Sequence, residues 1–374
     1  MRIAGEGRYF KDKNGYFAWR LRVDGREITR KAKTQKELKA KVAVVLREVD
    51  DGAPPTEATV AQFFDDWLTT AVQPSRARKT FVGYESAVRL YIAPTIGGVR
   101  LRDLTFRDCQ KCIRLADSRG LGGHTAAKIR TVLRRALGVA VRRGLIRSNP
   151  VDGTEPARIV AREVATPSPA EVAAIIAEAT RTRELLTRPG EFAPAHRYGA
   201  VAVVLACTGL RISEALGLAD DDAGDALNVR RQLEHDGDVW RFVPLKTRRS
   251  KRVVPLNDQA RDALTAWRAV RDDDALRAGA DWQKHGLLFT TRNGEPLHPR
   301  NVQRTFDAIL SAAGLRHYGL HALRRAFGST LAAQGVPIHV VAALMGHSDV
   351  KTTLTFYTTP FAEDSAKAIG GLRF

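Results

Sequence analysis

Two arginines in this chain stand in settings that a solvated arginine does not need. Arg211 lies in Thr208-Gly209-Leu210-Arg211-Ile212-Ser213-Glu214, where an apolar helix over Tyr198–Cys207 runs into a glycine break and Ser213 is placed to cap the next helix. Arg324 lies in His321-Ala322-Leu323-Arg324. A spacing of three puts His321 and Arg324 on one helical face, able to reach the same phosphate. Lys246 is expected at a strand end before a turn, His347 follows Met345-Gly346 in a turn-like setting, and Tyr357 comes ten residues later. These types suit phosphoryl transfer. That chemistry needs a nucleophile in line, stabilisation of the non-bridging oxygens and a proton for the leaving hydroxyl. A metal could supply the charge, but no carboxylate cluster or metal-ligand spacing is visible, and the planar arginine fork can replace it. We therefore expect no metal and no cofactor. Singly, each residue has an ordinary explanation: Arg211 could pair structurally with Glu214, a lone His could be a satisfied polar group, and Tyr357 could be core. The ordered set of all of them is what these explanations do not cover.

Three segments must position this set. Residues 7–33 read as three short strands, with Asn14-Gly15 and Asp24-Gly25 as two-residue hairpin signals, and Thr34-x-x-Glu37 is a capping box opening a helix to about Asp50. On the central strand, alternation puts Arg20 and Arg22 on one face as candidate DNA contacts, and leaves Trp19 to pack on the helix. After a linker at Asp51–Pro55, residues 58–148 read as all helix. The last of these helices carries Lys128, Arg130, Arg134, Arg135, Arg142 and Arg143 with no acid between Lys128 and Arg143, a candidate phosphate-contacting face. A second linker spans Asn149–Pro167. Ser168-Pro169-Ala170-Glu171 then caps a third, mainly helical region, interrupted by one hairpin in which Trp240–Leu245 and Arg252–Leu256 flank the loop at Thr247–Ser250.

In order, T-G-L-R-I-S-E at Thr208–Glu214, K-T-x-x-S at Lys246–Ser250, V-P-L at Val254–Leu256, H-x-L-R at His321–Arg324, M-G-H-S at Met345–Ser348 and the tyrosine at Tyr357 resemble the catalytic domain of the tyrosine recombinases, the phage-integrase family. Arg325 and Ala326 depart from the commonest pattern at positions without assigned chemistry. The resemblance implies an α+β multidomain fold: an arm-type DNA-binding domain at 1–52, a helical core-binding domain at 57–152 and a catalytic domain at 164–374. It implies that Tyr357 attacks the scissile phosphate, leaving a 3′-phosphotyrosine and a free 5′-hydroxyl. By the same resemblance Arg211 and Arg324 hold the non-bridging oxygens, and Lys246 protonates the 5′-oxygen. His321 serves as base or proton shuttle, His347 donates to a phosphate oxygen, and Glu214 orients its neighbours. The implied function is site-specific recombination of a phage or other mobile element. The expected partners are double-stranded DNA at core and arm sites, three further copies of the chain, and an excisionase or DNA-bending protein. The segment Pro360–Ile369 would form a short helix that packs on a neighbouring protomer.

Composition agrees with a polyanionic partner. The 374 residues carry a net charge of +19, with +7 in residues 1–50, +8 in 51–163 and +4 in the remainder. No apolar run is long enough to span a bilayer and no signal peptide is evident, so a cytoplasmic, membrane-free setting is expected. The three cysteines, Cys109, Cys112 and Cys207, fit a reducing compartment, and the single C-x-x-C lacks a second ligand pair, so it reads as two small helical residues. Competing readings are a dimer-resolution or type IB topoisomerase-like enzyme, a DNA-binding regulator with an inactive site, and a membrane-surface binder. The N-terminal sheet disfavours the first, the intact ordered set the second, and both together the third.

Overall fold

The structure is a computed structural model that describes residues 7–23, 26–50, 57–157, 159, 165–185, 188–237, 239–245, 250–347, 349, 353 and 354. The chain divides into two compact units, Met1–Arg162 and Glu163–Phe374. The first unit contains two hydrophobic cores and the second contains one.

The N-terminal core lies between an antiparallel sheet, β1 (Arg8–Lys11), β2 (Phe17–Val23) and β3 (Arg26–Ala32) in the order β1-β2-β3, and helix α1 (Gln35–Asp50). The register sets Trp19 opposite Tyr9 and Arg30, and Arg20 opposite Arg8 and Thr29. Period two then separates the faces. Trp19, Leu21, Ile28 and Ala32 are buried with Leu38, Val42 and Val45 of α1, while Arg20 stays exposed on the other face. Truncating a buried tryptophan costs about 3–5 kcal/mol, so Trp19 is the anchor of this small module. The Asn14-Gly15 signal does mark the first hairpin, but the loop is Asp12–Tyr16 rather than two residues. The Asp12 carboxylate organises it by accepting from the Asn14 and Tyr16 amides. Asp24-Gly25 lies outside the described residues.

The second core is built by α2 (Val60–Trp67), α3 (Arg78–Ala87), the single turn α4 (Ala93–Ile96), α5 (Phe106–Ser118) and α6 (Gly123–Arg142). Thr59 and Gln62 form a reciprocal capping box at the start of α2. Ile129, Val132, Leu133, Ala136, Leu137 and Ala140 turn one face of α6 into this core and leave its basic residues on the other. Cys109 and Cys112 are part of the same core, and burial pushes both thiols up to about 12, which makes them packing residues rather than thiolates.

In the second unit, Ser168 and Glu171 cap α7 (Pro169–Thr180) as the sequence expects, with Pro169 at the first helical position. The hairpin β4 (Thr182–Leu185) and β5 (Arg188–Pro194) precedes α8 (Gly199–Thr208). Helix α8 is apolar on every side and buried throughout Val201–Leu205, the pattern of a central helix. It is followed by the short α9 (Ile212–Ala215), then β6 (Ala226–Val229), β7 (Arg231–Asp236), β8 (Val239–Pro244) and β9 (Arg252–Pro255). The helices α10 (Asp258–Ala278), α11 (Pro299–Ala312), α12 (His321–Ala333) and α13 (Ile338–Met345) complete the unit. The expected single hairpin of Trp240–Leu245 against Arg252–Leu256 is corrected. β8 pairs with β7, and β9 pairs with β6, in two separate antiparallel ribbons. Leu227 and Val229 on β6 are buried beside Val254 on β9, so that pairing closes core, whereas a β8–β9 hairpin would not have used them.

Candidate active site and nucleic-acid interface

The site forms where α8 ends. Gly209 caps α8 in the left-handed conformation (φ 62°), and a Cβ there would come 2.4 Å from Phe327, so only glycine makes this turn. Arg211 follows as the residue that opens α9. Ser213 does not cap that helix, as the sequence suggested. Its hydroxyl reaches Gln232 on β7, and the Glu214 carboxylate accepts the Arg211 backbone N–H instead, at 2.9 Å. The other Glu214 oxygen accepts from Arg211 Nη1 at 2.6 Å. Both ordinary and functional readings of Arg211 thus share one contact: the carboxylate that pairs with the guanidinium also aims it.

Arg324 comes from the first turn of α12 and is 2% exposed. Its Nη1 donates to the Gly209 carbonyl and its Nη2 to the Met345 carbonyl, each at 2.5 Å. These two bonds tie the turn before Arg211 to the turn before His347 and leave three of the five guanidinium N–H groups for another acceptor. Gly346, also left-handed (φ 64°), ends α13 and delivers His347, whose Nδ1 lies 2.8 Å from the Thr353 hydroxyl. His321, at the start of α12, keeps part of its surface open to solvent.

Sequence reasoning missed two members of this cluster. Arg252, on β9, donates from Nη2 to Glu214 at 2.9 Å, from Nε to the Leu344 carbonyl at 2.6 Å and from Nη1 to the Ser250 carbonyl at 3.0 Å. In the sequence it is one cation among Arg248, Arg249 and Lys251. The available signal was strand alternation, which puts Arg252 on the same face as buried Val254 and opposite to exposed Val253. Thr353 was also missed, because a Thr-Thr pair carries no signal of burial.

The electrostatics follow from crowding three guanidinium groups around one carboxylate. Burial alone would raise the Glu214 carboxyl. The hydrogen bond and charge of Arg252, with the Arg211 amide and guanidinium, outweigh it and hold the group below its ordinary value. Burial, then the charges of Arg211 and Arg252, push Arg324 down to about 9, against the pull of Glu214. Burial, then Arg324, Arg211, Arg252 and His321, push His347 down to about 4, and His321 is lowered by burial and by Arg324, Arg325 and Arg211. Three cations against one anion leave two positive charges uncompensated, next to histidines that stay neutral at pH 7. Such a site is built to receive an anion, and a phosphodiester gaining negative charge in its transition state is the anion that fits best. Among the described residues no group of three or more His, Cys, Asp and Glu could hold a metal ion. Lys246 and Tyr357 lie outside the described residues, as does Pro360–Ile369.

The basic face of α6 borders a cleft of about 720 Å³ that Trp67, Tyr84, Arg76, Arg130, Arg134, Arg135 and Arg142 help to line. Trp67 and Tyr84 stack in its wall, 5.8 Å apart and 13° from parallel, and Arg135 donates to the Tyr84 hydroxyl. The six cations are not equivalent. Arg130 binds Thr154 through both its hydroxyl and its carbonyl, Arg134 pairs with Asp152 and Arg143 with Asp66. The acids are distant in sequence, so a window over α6 could not show them. Lys128 and Arg142 are exposed. In the N-terminal module Arg20 pairs with Glu27 at 3.1 Å and lies over the Phe10 ring, while the Arg22 side chain is outside the described set.

The sequence profile of the phage integrase family matches residues 171–363, more than half of the chain. The chain belongs to the phage integrase family. A second profile, the N-terminal SAM-like domain of phage integrases, matches residues 59–114 of the recombinase. An integrase from Streptomyces ambofaciens is 30% identical over 349 residues, covering 89% of this chain and 85% of that protein. A XerC-like tyrosine recombinase from Caldanaerobacter subterraneus is 26% identical, covering 90% and 89%. Among solved structures, the Tn1549 transposon integrase in complex with transposon right end DNA superposes with a TM-score of 0.68 at 21% identity, over 84% of this chain and 99% of that one. A lambda integrase tetramer bound to a Holliday junction gives 0.56 at 18% identity, over 95% and 96%. The α+β fold is therefore that of the integrases, and the recombinase is an enzyme of DNA strand breakage and rejoining. Among the described residues no helix is long and apolar enough to cross a membrane.

Proposed function

We propose that this recombinase integrates or excises a phage or other mobile element, and that Tyr357 is its nucleophile. The Tyr357 phenol oxygen attacks the scissile phosphorus, its proton passing to His321. The bond from phosphorus to the 5′-oxygen breaks, and Lys246 gives that oxygen its proton. The 3′-phosphotyrosine keeps the bond energy for rejoining, so no ATP is needed. Arg211 and Arg324 take the non-bridging oxygens. With the Thr353 hydroxyl donating to Nδ1, neutral His347 keeps its proton on Nε2 and can donate it to a third phosphate contact. The observation that carries this reading is the gathering of Arg211, Arg252 and Arg324 around Glu214, three cations to one carboxylate among these described residues.

Within that reading, residues 1–52 form the arm-type DNA-binding domain, 57–152 the core-binding domain and 164–374 the catalytic domain. The partners are duplex DNA in the cytoplasm, three further protomers and accessory proteins such as an excisionase. Support for an arm domain comes from lambda integrase. Its longer chain matches 96% of this chain and its fragment 75–356 only 80%. A second reading, dimer resolution, is favoured by the XerC-named relatives, such as that of Neisseria gonorrhoeae, which covers 80% of this chain. The integrase of Streptomyces ambofaciens, 30% identical over 89% of this chain, supports the mobile-element role. Trapping on a nicked half-site tests the chemistry. An SDS-stable protein–DNA adduct is expected in excess EDTA, because arginine and lysine supply the charge. Loss of the adduct in EDTA, with recovery on adding magnesium, would overturn the arginine-based mechanism.

A further inference from the structure

We propose that Arg252 is a positioning residue for strand cleavage, holding Arg211 in place through Glu214 and locking that pair to the turn that delivers His347. The inference rests on the recombinase reading above and adds a residue to it.

Arg211 has a long, flexible side chain that is 38% exposed, and an unanchored arginine must give up its rotamer freedom to be fixed. Its anchor is Glu214, which is 1% exposed. A buried carboxylate is held more rigidly the more of its lone pairs are committed. Arg211 commits one oxygen through Nη1 and shares the other through its backbone N–H. Arg252 Nη2 completes the second oxygen. All three guanidinium nitrogens of Arg252 already donate to protein acceptors, so its task here is to hold those groups rather than the phosphate.

The remaining donors of Arg252 reach two other segments. Nε bonds the Leu344 carbonyl in the last turn of α13, and Nη1 bonds the Ser250 carbonyl just before β9. Gly346 packs so closely on this guanidinium that a Cβ there would lie 2.8 Å from Arg252 Nη1. One buried fork therefore joins the segments that carry Arg211 and His347 and also holds the Ser250 carbonyl. Lysine cannot reproduce this, because a single ammonium cannot meet three acceptors held in a planar arrangement.

The test uses the full chain on a nicked half-site, with single-turnover adduct formation at saturating DNA, DNA affinity and thermal unfolding read separately. We expect Arg252→Lys, which keeps a cation beside Glu214 and so preserves the fold, to slow adduct formation about 10-fold or more while DNA affinity changes less than about threefold. Arg252→Ala should slow it further, toward the roughly 10²–10³-fold loss typical of removing one charge-stabilising donor. In an Arg211→Ala background, Arg252→Lys should cost clearly less than in the unaltered chain, since the main group it positions is already gone. A folded Arg252→Lys protein with the unaltered rate would overturn the proposal, as would defects that multiply in the double variant. Failure of the unaltered chain to form any adduct would instead sink the recombinase mechanism itself.

Discussion

His347 carries the clearest consequence of the charge arrangement at the residue scale. Its folded pKa is depressed to about 4 by burial and by three arginines, whereas an unfolded histidine titrates near 6.5. The unfolded state therefore binds the extra proton between these values, and stability rises with pH across that window. The contribution is fully present above about pH 6.5 and is lost as pH falls toward 4. We expect the free enzyme's melting temperature to drop between pH 7 and pH 5, and the drop to shrink in His347→Gln. Thermal melts of both proteins across that range check this, and an identical pH dependence would contradict it. Arg211, Glu214, Arg324 and His347 were all legible as candidates because each sits in a short motif of unusual neighbours. Arg252 was not, because its meaning lies in acceptors on α13 and α9 that the sequence places 92 and 38 residues away.

At the scale of elements, α6 shows how a helix divides its charges between fold and ligand. Arg130 satisfies Thr154 and so fixes the turn that closes the helical domain, while Arg142 is exposed on the cleft. We expect Arg142→Ala to leave stability within about 0.5 kcal/mol and to lower the salt dependence of core-site binding by about one phosphate contact. Arg130→Ala should lower stability by about 1–3 kcal/mol, because it strips partners from a buried threonine. Equal stability losses, or an unchanged salt slope for Arg142→Ala, would contradict the division. The same scale explains which elements could be read in advance. α7 announces itself by Ser168-Pro169 and Glu171, and α8 by an unbroken apolar run. β6 was hidden by the acidic stretch from Asp220 to Asp225, which resembles a loop, although Leu227 and Val229 are fully buried. The β4–β5 hairpin was hidden because its strands carry no apolar alternation, and Phe192 on it is 66% exposed.

At the scale of the whole molecule, the account assigns separate tasks to separate cores. The N-terminal module closes its own core around Trp19, so its removal leaves the helical core of residues 60–151 intact. A fragment beginning near Glu57 should still form the covalent adduct on a core site, lose binding to distant arm sequences and recombine full attachment sites poorly, because tethered second-site binding raises local concentration without adding core contacts. Full-site recombination by the fragment at the rate of the intact chain would remove the arm-binding role. In the proposed mechanism all of these tasks serve one covalent step at Tyr357. The most direct measurement is adduct trapping on a nicked half-site, followed by mass analysis of the DNA-linked peptide. The intact chain should yield a peptide modified at Tyr357, and Tyr357→Phe should bind the same DNA with unchanged affinity and yield no adduct. A covalent adduct formed by Tyr357→Phe, or a modified residue other than Tyr357, would contradict the account.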